Sequence, residues 1–182
     1  MSWRESLTYH QSVAAVFGGV LSAQFDPAVT MLCRALVAGK KILLCGNGGS
    51  AAMASHLAAE LVGRFKLDRK AYPAISLTDL SNLTAIGNDY GYQRTFARQV
   101  EAFGTSGDVL IAMSTSGKSP NVLAAIVLAK HRGMQTLGLC GSLPMNCDVD
   151  LTVPTDNTAT IQEMHLLAGH LLIEGIEELL PK

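Results

Sequence analysis

His56 and Glu60 stand four residues apart in ILLCGNGGSAAMASHLAAELVGRF, residues 42–65, where nearly every other helical position is apolar. On a helix that spacing puts both side chains on one face. Two readings follow. The imidazole and carboxylate form a local hydrogen-bonded pair on a wet face. Alternatively they are two ligands for one metal ion, or a base with the group that orients it. A second polar set interrupts the apolar run TIQEMHLLAGHLLIEGIEELL: Gln162, Glu163, His165 and His170. Gln162 and His170 lie about 80° apart around a helix and about 12 Å apart along it, so long side chains can converge between their levels. His165 falls on the other side of Gln162 and reads as structural, or as serving a neighbouring site.

Two loops offer anion chemistry. Ser114-Thr115-Ser116-Gly117-Lys118-Ser119 follows an apolar strand and opens a helix. A helix start presents unpaired N–H groups and the positive end of the dipole, hydroxyls donate to phosphate oxygens, and Gly117 lets the backbone approach. The spacing is not that of a nucleotide-binding GxxxxGK[ST] loop. Gly46-Asn47-Gly48-Gly49-Ser50 holds the same place after an earlier strand. Asn47 and Ser50 can hydrogen-bond sugar hydroxyls, or the segment is only a tight connection with Ser50 capping the helix.

These side chains need a scaffold that brings strand ends together. Residues 3–24 and 27–39 read as two helices, with Asp26 as N-cap and Pro27 as first helical residue of the second. Short apolar runs at 40–46, 74–77, 108–114, 135–141 and 150–154 read as buried strands. Helical patterns fill the stretch after Ser50 to about Gly63, then 80–87, 91–102, 119–133 and 158–179. Apolar strands alternating with helices predict a doubly wound α/β domain: a parallel five-stranded sheet with helices on both faces and an N-terminal helical extension. In such sheets ligands bind at the carboxyl ends of the strands, where both loops fall.

Composition bounds the rest. The 182 residues suit one domain, 1–182, and a net charge of −1 with no basic run argues against nucleic acid. Apolar residues make up 48% and charged residues 16%, with mean hydropathy +0.26. NVLAAIVLAKH and HLLAGHLLIEGIEELL are too short, or too interrupted by His and Glu, to span a bilayer. The start MSWRESLTYHQ has no apolar signal core. A cytoplasmic oligomer is the expectation. Val13, Val16, Phe17, Val20 and Leu21 form a helical stripe that an isolated domain would expose. The cysteines Cys33, Cys45, Cys140 and Cys147 show no CxxC spacing and read as reduced thiols, with Cys45 and Cys140 in the core.

Three stretches together, CGNGGSAAMASHLAAELVGRF, GNDYGYQRTFARQVEAFGTSGDVLIAMSTSGKSPNV and IQEMHLLAGH, resemble the phosphoheptose isomerases of the sugar isomerase (SIS) domain family. The resemblance covers roughly residues 30–180. It implies a flavodoxin-like SIS domain that converts sedoheptulose 7-phosphate to D-glycero-D-manno-heptose 7-phosphate through an enediol(ate), the first step of nucleotide-activated heptose biosynthesis. It implies one Zn2+ per subunit on His56, Glu60, Gln162 and His170, with Glu60 and His170 also the acid/base pair. Substrate contacts carry over to Asn47, Gly48, Gly49, Glu60, Asn88, Asp89, Ser114, Thr115, Ser116, Ser119 and Gln162. The family is a homotetramer with active sites between subunits, so residues 1–39 are expected to serve assembly.

The chain departs from the family in three places. Lys118 replaces a usual Asn, the stretch between Gly141 and Gln162 is shortened, and Ala159-Thr160 replace the common Asp-Arg. These bear on the choice of sugar more than on the chemistry. Two rival readings are a sugar-phosphate sensor and a non-catalytic SIS tetramer that binds a protein such as the replication initiator. Relatives of the latter kind lose the Glu and the final His, which here are present as Glu60 and His170.

Overall fold

The computed structural model describes residues 2–180. Its elements run α1 (Trp3–Val37), β1 (Ile42–Gly46), α2 (Gly49–Val62), β2 (Ala74–Ser76), α3 (Leu80–Tyr90), a 3-10 turn (Tyr92–Arg94), α4 (Thr95–Phe103), β3 (Val109–Ser114), α5 (Pro120–His131), β4 (Gln135–Cys140), β5 (Val149–Thr152) and α6 (Thr158–Leu179). All strand pairs are parallel, in the order β2-β1-β3-β4-β5. The order reverses between β1 and β3, so the loops after these two adjacent strands flank the crevice where such sheets bind ligands.

Each central strand is buried on both faces. Ile42, Leu44, Ile111 and Leu139 face a core closed by α1, α2 and α6, while Leu43, Cys45, Leu110 and Ala112 face one closed by α4 and α5. This is why these strands read as continuous apolar runs rather than alternating ones. Cys45 and Cys140 are fully buried, and all four thiols are free. At the start of β3, Asp108 accepts from the N–H and ammonium of Lys41 (3.0 and 2.6 Å) and from the N–H and hydroxyl of Thr105 (2.8 and 2.9 Å). Burial pushes its carboxyl up, but these donors outweigh burial and hold it below the ordinary value.

The N-terminal region differs from the sequence expectation. One helix runs from Trp3 to Val37 straight through Pro27. An interior proline removes a helical hydrogen bond and costs about 3 kcal/mol. After it, Ala28, Val29, Met31, Leu32, Cys33 and Ala35 are buried, and burying one large apolar side chain contributes about 1.5–3 kcal/mol. Packing therefore outweighs the break. The expected exposed stripe is also largely used inside the chain. Val13 and Phe17 are buried, Val20 and Leu21 pack against the core, and Val16 remains exposed, as do Trp3 and Leu7. By length and composition alone α1 also passes as a membrane span, but its buried side chains make it a wall of the core.

Candidate active site

At the end of β1 the chain turns through Asn47 and Gly48, and Gly49 begins α2. Ser50 is not the cap; it lies in the first turn of α2 with its side chain buried. Gly49 is required by a close approach: a Cβ there would stand 2.6 Å from Nε2 and 2.8 Å from Oε1 of Gln162. The missing side chain lets the Gln162 amide reach the start of α2. Two turns on, His56 Nε2 lies 3.7 Å from Glu60 Oε1 and 2.9 Å from His170 Nε2 of α6. The two imidazoles meet edge to face, with centroids 5.2 Å apart at 67°. Burial, then the neighbouring His56, push the His170 pKa down, and Glu60 opposes them.

The four side chains His56, Glu60, Gln162 and His170 thus come from facing positions on α2 and α6. Two imidazole nitrogens, a carboxylate and an amide oxygen are donor types that suit a zinc ion. Nitrogens bound to one tetrahedral zinc sit about 3.3 Å apart for bonds of about 2.0–2.1 Å. The observed 2.9 Å between ring nitrogens is close to that. Among the described residues no three His, Cys, Asp or Glu side chains already close into a cage, so Glu60 and Gln162 would have to turn inward. An open cavity of about 440 Å³ reaches two of these four, His56 and Gln162, and is also lined by Gly49, Met53 and Leu166.

The second loop lies at the end of β3. Ser114 Oγ is 3.0 Å from Ser119 Oγ and 3.4 Å from Ser116 Oγ, and Ser116 Oγ accepts the Lys118 N–H at 3.2 Å. Thr115 lies half-buried between them. Ser119 occupies the N-cap position of α5, yet its hydroxyl makes no capping bond, so it remains available to a ligand. Gly117 adopts φ +65, where a Cβ would meet the Leu143 carbonyl at 2.6 Å. Three hydroxyls converging at a helix start form a cradle for an anion.

Asn88 and Asp89 end α3, are exposed, and bond only to each other among the described residues, at 2.8 Å. They join neither the histidine pair nor the hydroxyl loop. What links the loops is Asn121, which the sequence reading missed. Asn47 and Asn121 exchange amide hydrogen bonds at 2.9 Å each way, and Tyr92 OH donates to Asn47 Oδ1 at 2.8 Å. Asn121 is buried and also bonds Thr95. Its signal was visible as a lone amide opening the apolar helix SPNVLAAIV. His165 is a core residue: fully buried, with Nε2 2.9 Å from the Cys140 carbonyl. Burial pushes its pKa down to about 4, so its imidazole is neutral. Glu163 pairs with His10, Oε2 to Nδ1 2.7 Å.

Comparison with known proteins shows the family. The SIS domain profile matches residues 8–141. A phosphoheptose isomerase of Campylobacter jejuni is 52% identical over 181 residues, covering 97% of this chain and 95% of its own length. One from Nitratiruptor sp. is 55% identical over 155 residues, covering 82% and 83% respectively. Among solved structures, a phosphoheptose isomerase from Neisseria gonorrhoeae superposes with a TM-score of 0.89 at 38% identity, covering 97% of each chain. One from Francisella tularensis gives 0.83 at 35% identity, covering 98% of this chain and 100% of that one.

Proposed function

Since the chain belongs to the SIS domain family, among the phosphoheptose isomerases, and is a sugar-phosphate isomerase, we propose that it interconverts sedoheptulose 7-phosphate and D-glycero-D-manno-heptose 7-phosphate. The product would then enter nucleotide-activated heptose synthesis in the cytoplasm. The observation that carries the proposal is the meeting of His56, Glu60 and His170 between α2 and α6, in a chain that also presents the hydroxyl cradle after β3.

Moving a carbonyl between C1 and C2 requires a proton to leave one carbon and reach its neighbour. Glu60 takes the carbon-bound proton as a carboxylate, giving an enediol(ate), and, after exchange with solvent, delivers a proton to the adjacent carbon. His170, poorly charged because burial and His56 depress its pKa, exchanges the proton between the two oxygens. Ser114, Thr115, Ser116 and Ser119 hold the phosphate, which fixes how far the sugar reaches toward the base. Asn47, Gly48, Gly49 and Ser50 offer polar contacts to the sugar chain. Gln162, admitted by Gly49, borders the same space. His56, Glu60, Gln162 and His170 would hold one zinc ion, which as a Lewis acid would polarise the carbonyl and stabilise the developing oxyanion.

Asn88 and Asp89 have no partner at this site within the chain. Their exposure, with that of Trp3, Leu7 and Val16 on α1, supports a homotetramer in which a neighbouring subunit completes each active site. A coupled assay with sedoheptulose 7-phosphate, with and without chelator, tests the whole reading. Turnover that chelation abolishes and zinc restores is expected. No turnover of any seven-carbon sugar phosphate would overturn it.

A further inference from the structure

We infer that Phe65, Arg69 and Glu177 form a positioning clamp, which sets the His170 imidazole and the α2 turn that carries Glu60; this rests on the acid/base assignment above. The segment between α2 and β2 is irregular, yet a buried carboxylate of α6 pins it. Glu177 lies two helical turns beyond His170 on the same side of α6. It accepts the N–H groups of Phe65, Lys66 and Leu67 at 3.4, 3.1 and 3.1 Å, and Arg69 Nε at 2.8 Å. Both side chains of the ion pair are 2% exposed. Burial pushes the Glu177 carboxyl up, but the N–H donors and Arg69 outweigh it and hold the group ionised.

The consequence lies at the active site. With residues 65–67 held on Glu177, the Phe65 ring stacks on the His170 imidazole, centroids 5.2 Å apart and planes 24° apart. That stack and His56 grip the imidazole from two sides. Arg69 spends its other N–H groups on the carbonyls of Glu60 (2.9 Å), Leu61 (3.0 Å) and Lys70 (3.1 Å), with its guanidinium 4.0 Å over the Tyr72 ring. Carbonyls in the last turn of a helix have no intrahelical partner. Arg69 supplies one and fixes the backbone from which Glu60 projects. The buried Arg69–Glu177 pair, with Lys66 and Glu174 pairing beside it at the surface, thereby locks the end of α2 to α6, the two helices whose side chains must meet. A buried ion pair is weak evidence for stability, since apolar residues often replace it without loss. Its fork and four-donor nest define orientation.

The test compares Glu177→Gln, Phe65→Leu and the double variant Arg69→Met/Glu177→Leu, which leaves neither charge unpaired. Each is measured for thermal unfolding, for kcat and KM with sedoheptulose 7-phosphate, and for the His170 ring resonance by NMR. Misplacing a reacting group by about 1 Å can lower the rate about 10²-fold. A fall of that order in kcat with KM little changed is expected, because the phosphate cradle is untouched. In the double variant, which keeps Phe65, the His170 resonance should move while that of the remote, exposed His131 stays. A folded double variant with the parent's kcat and an unmoved His170 resonance would overturn the clamp. Should the parent prove inactive on every sugar phosphate, the functional reading falls by itself. The NMR comparison then still decides: an unmoved His170 resonance refutes positioning, and a moved one supports it.

Discussion

His56 and His170, 114 residues apart in sequence, place their Nε2 atoms 2.9 Å from each other. Two neutral imidazoles cannot both accept there; one must donate, or a cation must lie between the two lone pairs. Glu60 Oε1 lies 3.7 Å from the same His56 nitrogen, while the Gln162 amide lies beside Gly49 at the start of α2. Elemental analysis of the protein after zinc loading should find one zinc per chain, and His56→Ala and His170→Ala should each lose it. Absence of bound zinc in the parent, or full retention in both variants, would contradict the ligand assignment.

Ser119 should matter through affinity. Removing its hydroxyl deletes a hydrogen bond to a charged acceptor, worth about 1.5–3 kcal/mol, so sugar-phosphate binding should weaken about 10- to 150-fold. Ser116→Ala should act in the same direction. Ligand titration by calorimetry measures it, and parent-like affinity in both variants would place the phosphate elsewhere.

Gly49 gives a sharper discrimination between site and scaffold. A methyl group there meets the Gln162 amide at 2.6–2.9 Å. Gly49→Ala should displace Gln162, lower turnover and leave the fold intact, because the far end of a side chain can move away. Circular dichroism and kinetics check both halves. Unchanged turnover would show that Gln162 does not need its place beside α2.

Much of this was legible in sequence because the signals are local. Five apolar runs gave five strands, and Ser-Pro before NVLAAIVLAKH gave the start of α5 at Pro120. His56 and Glu60 shared a face because four residues nearly complete a turn. What was not legible depends on contacts far apart in the chain. Pro27 reads as a helix boundary until the buried side chains after it are seen to hold α1 together. Asn121 reads as a helix-start residue until Asn47 faces it across the sheet. Glu177 reads as one more surface charge in IEELL, whereas its partners lie 108 to 112 residues away.

Asp108 should set part of the acid limit of stability. Its folded pKa lies below the unfolded one. Its contribution is therefore complete above the ordinary carboxylate pKa and is lost as pH falls through the folded value. Asp108→Asn should be clearly less stable than the parent at neutral pH, and the difference should shrink with acidification. Urea unfolding across pH measures it. A stability gap independent of pH would contradict the assignment.

Trp3, Leu7 and Val16 leave apolar surface on α1 that no part of the described chain covers. Light scattering should give about four times the 19.3 kDa chain mass. A monomer at micromolar concentration would contradict the proposed tetramer.

The most direct test of the account is proton transfer at carbon by Glu60. Sedoheptulose 7-phosphate is incubated in D2O with the parent and with Glu60→Gln, and deuterium at C2 of the product is read by NMR. A general base typically contributes about 10² to 10⁴-fold. The parent should incorporate solvent deuterium, and Glu60→Gln, still folded, should do so slower by at least the lower figure. Near-parent exchange in Glu60→Gln would remove Glu60 as the base, and a parent that shows neither exchange nor turnover would remove the isomerase mechanism itself.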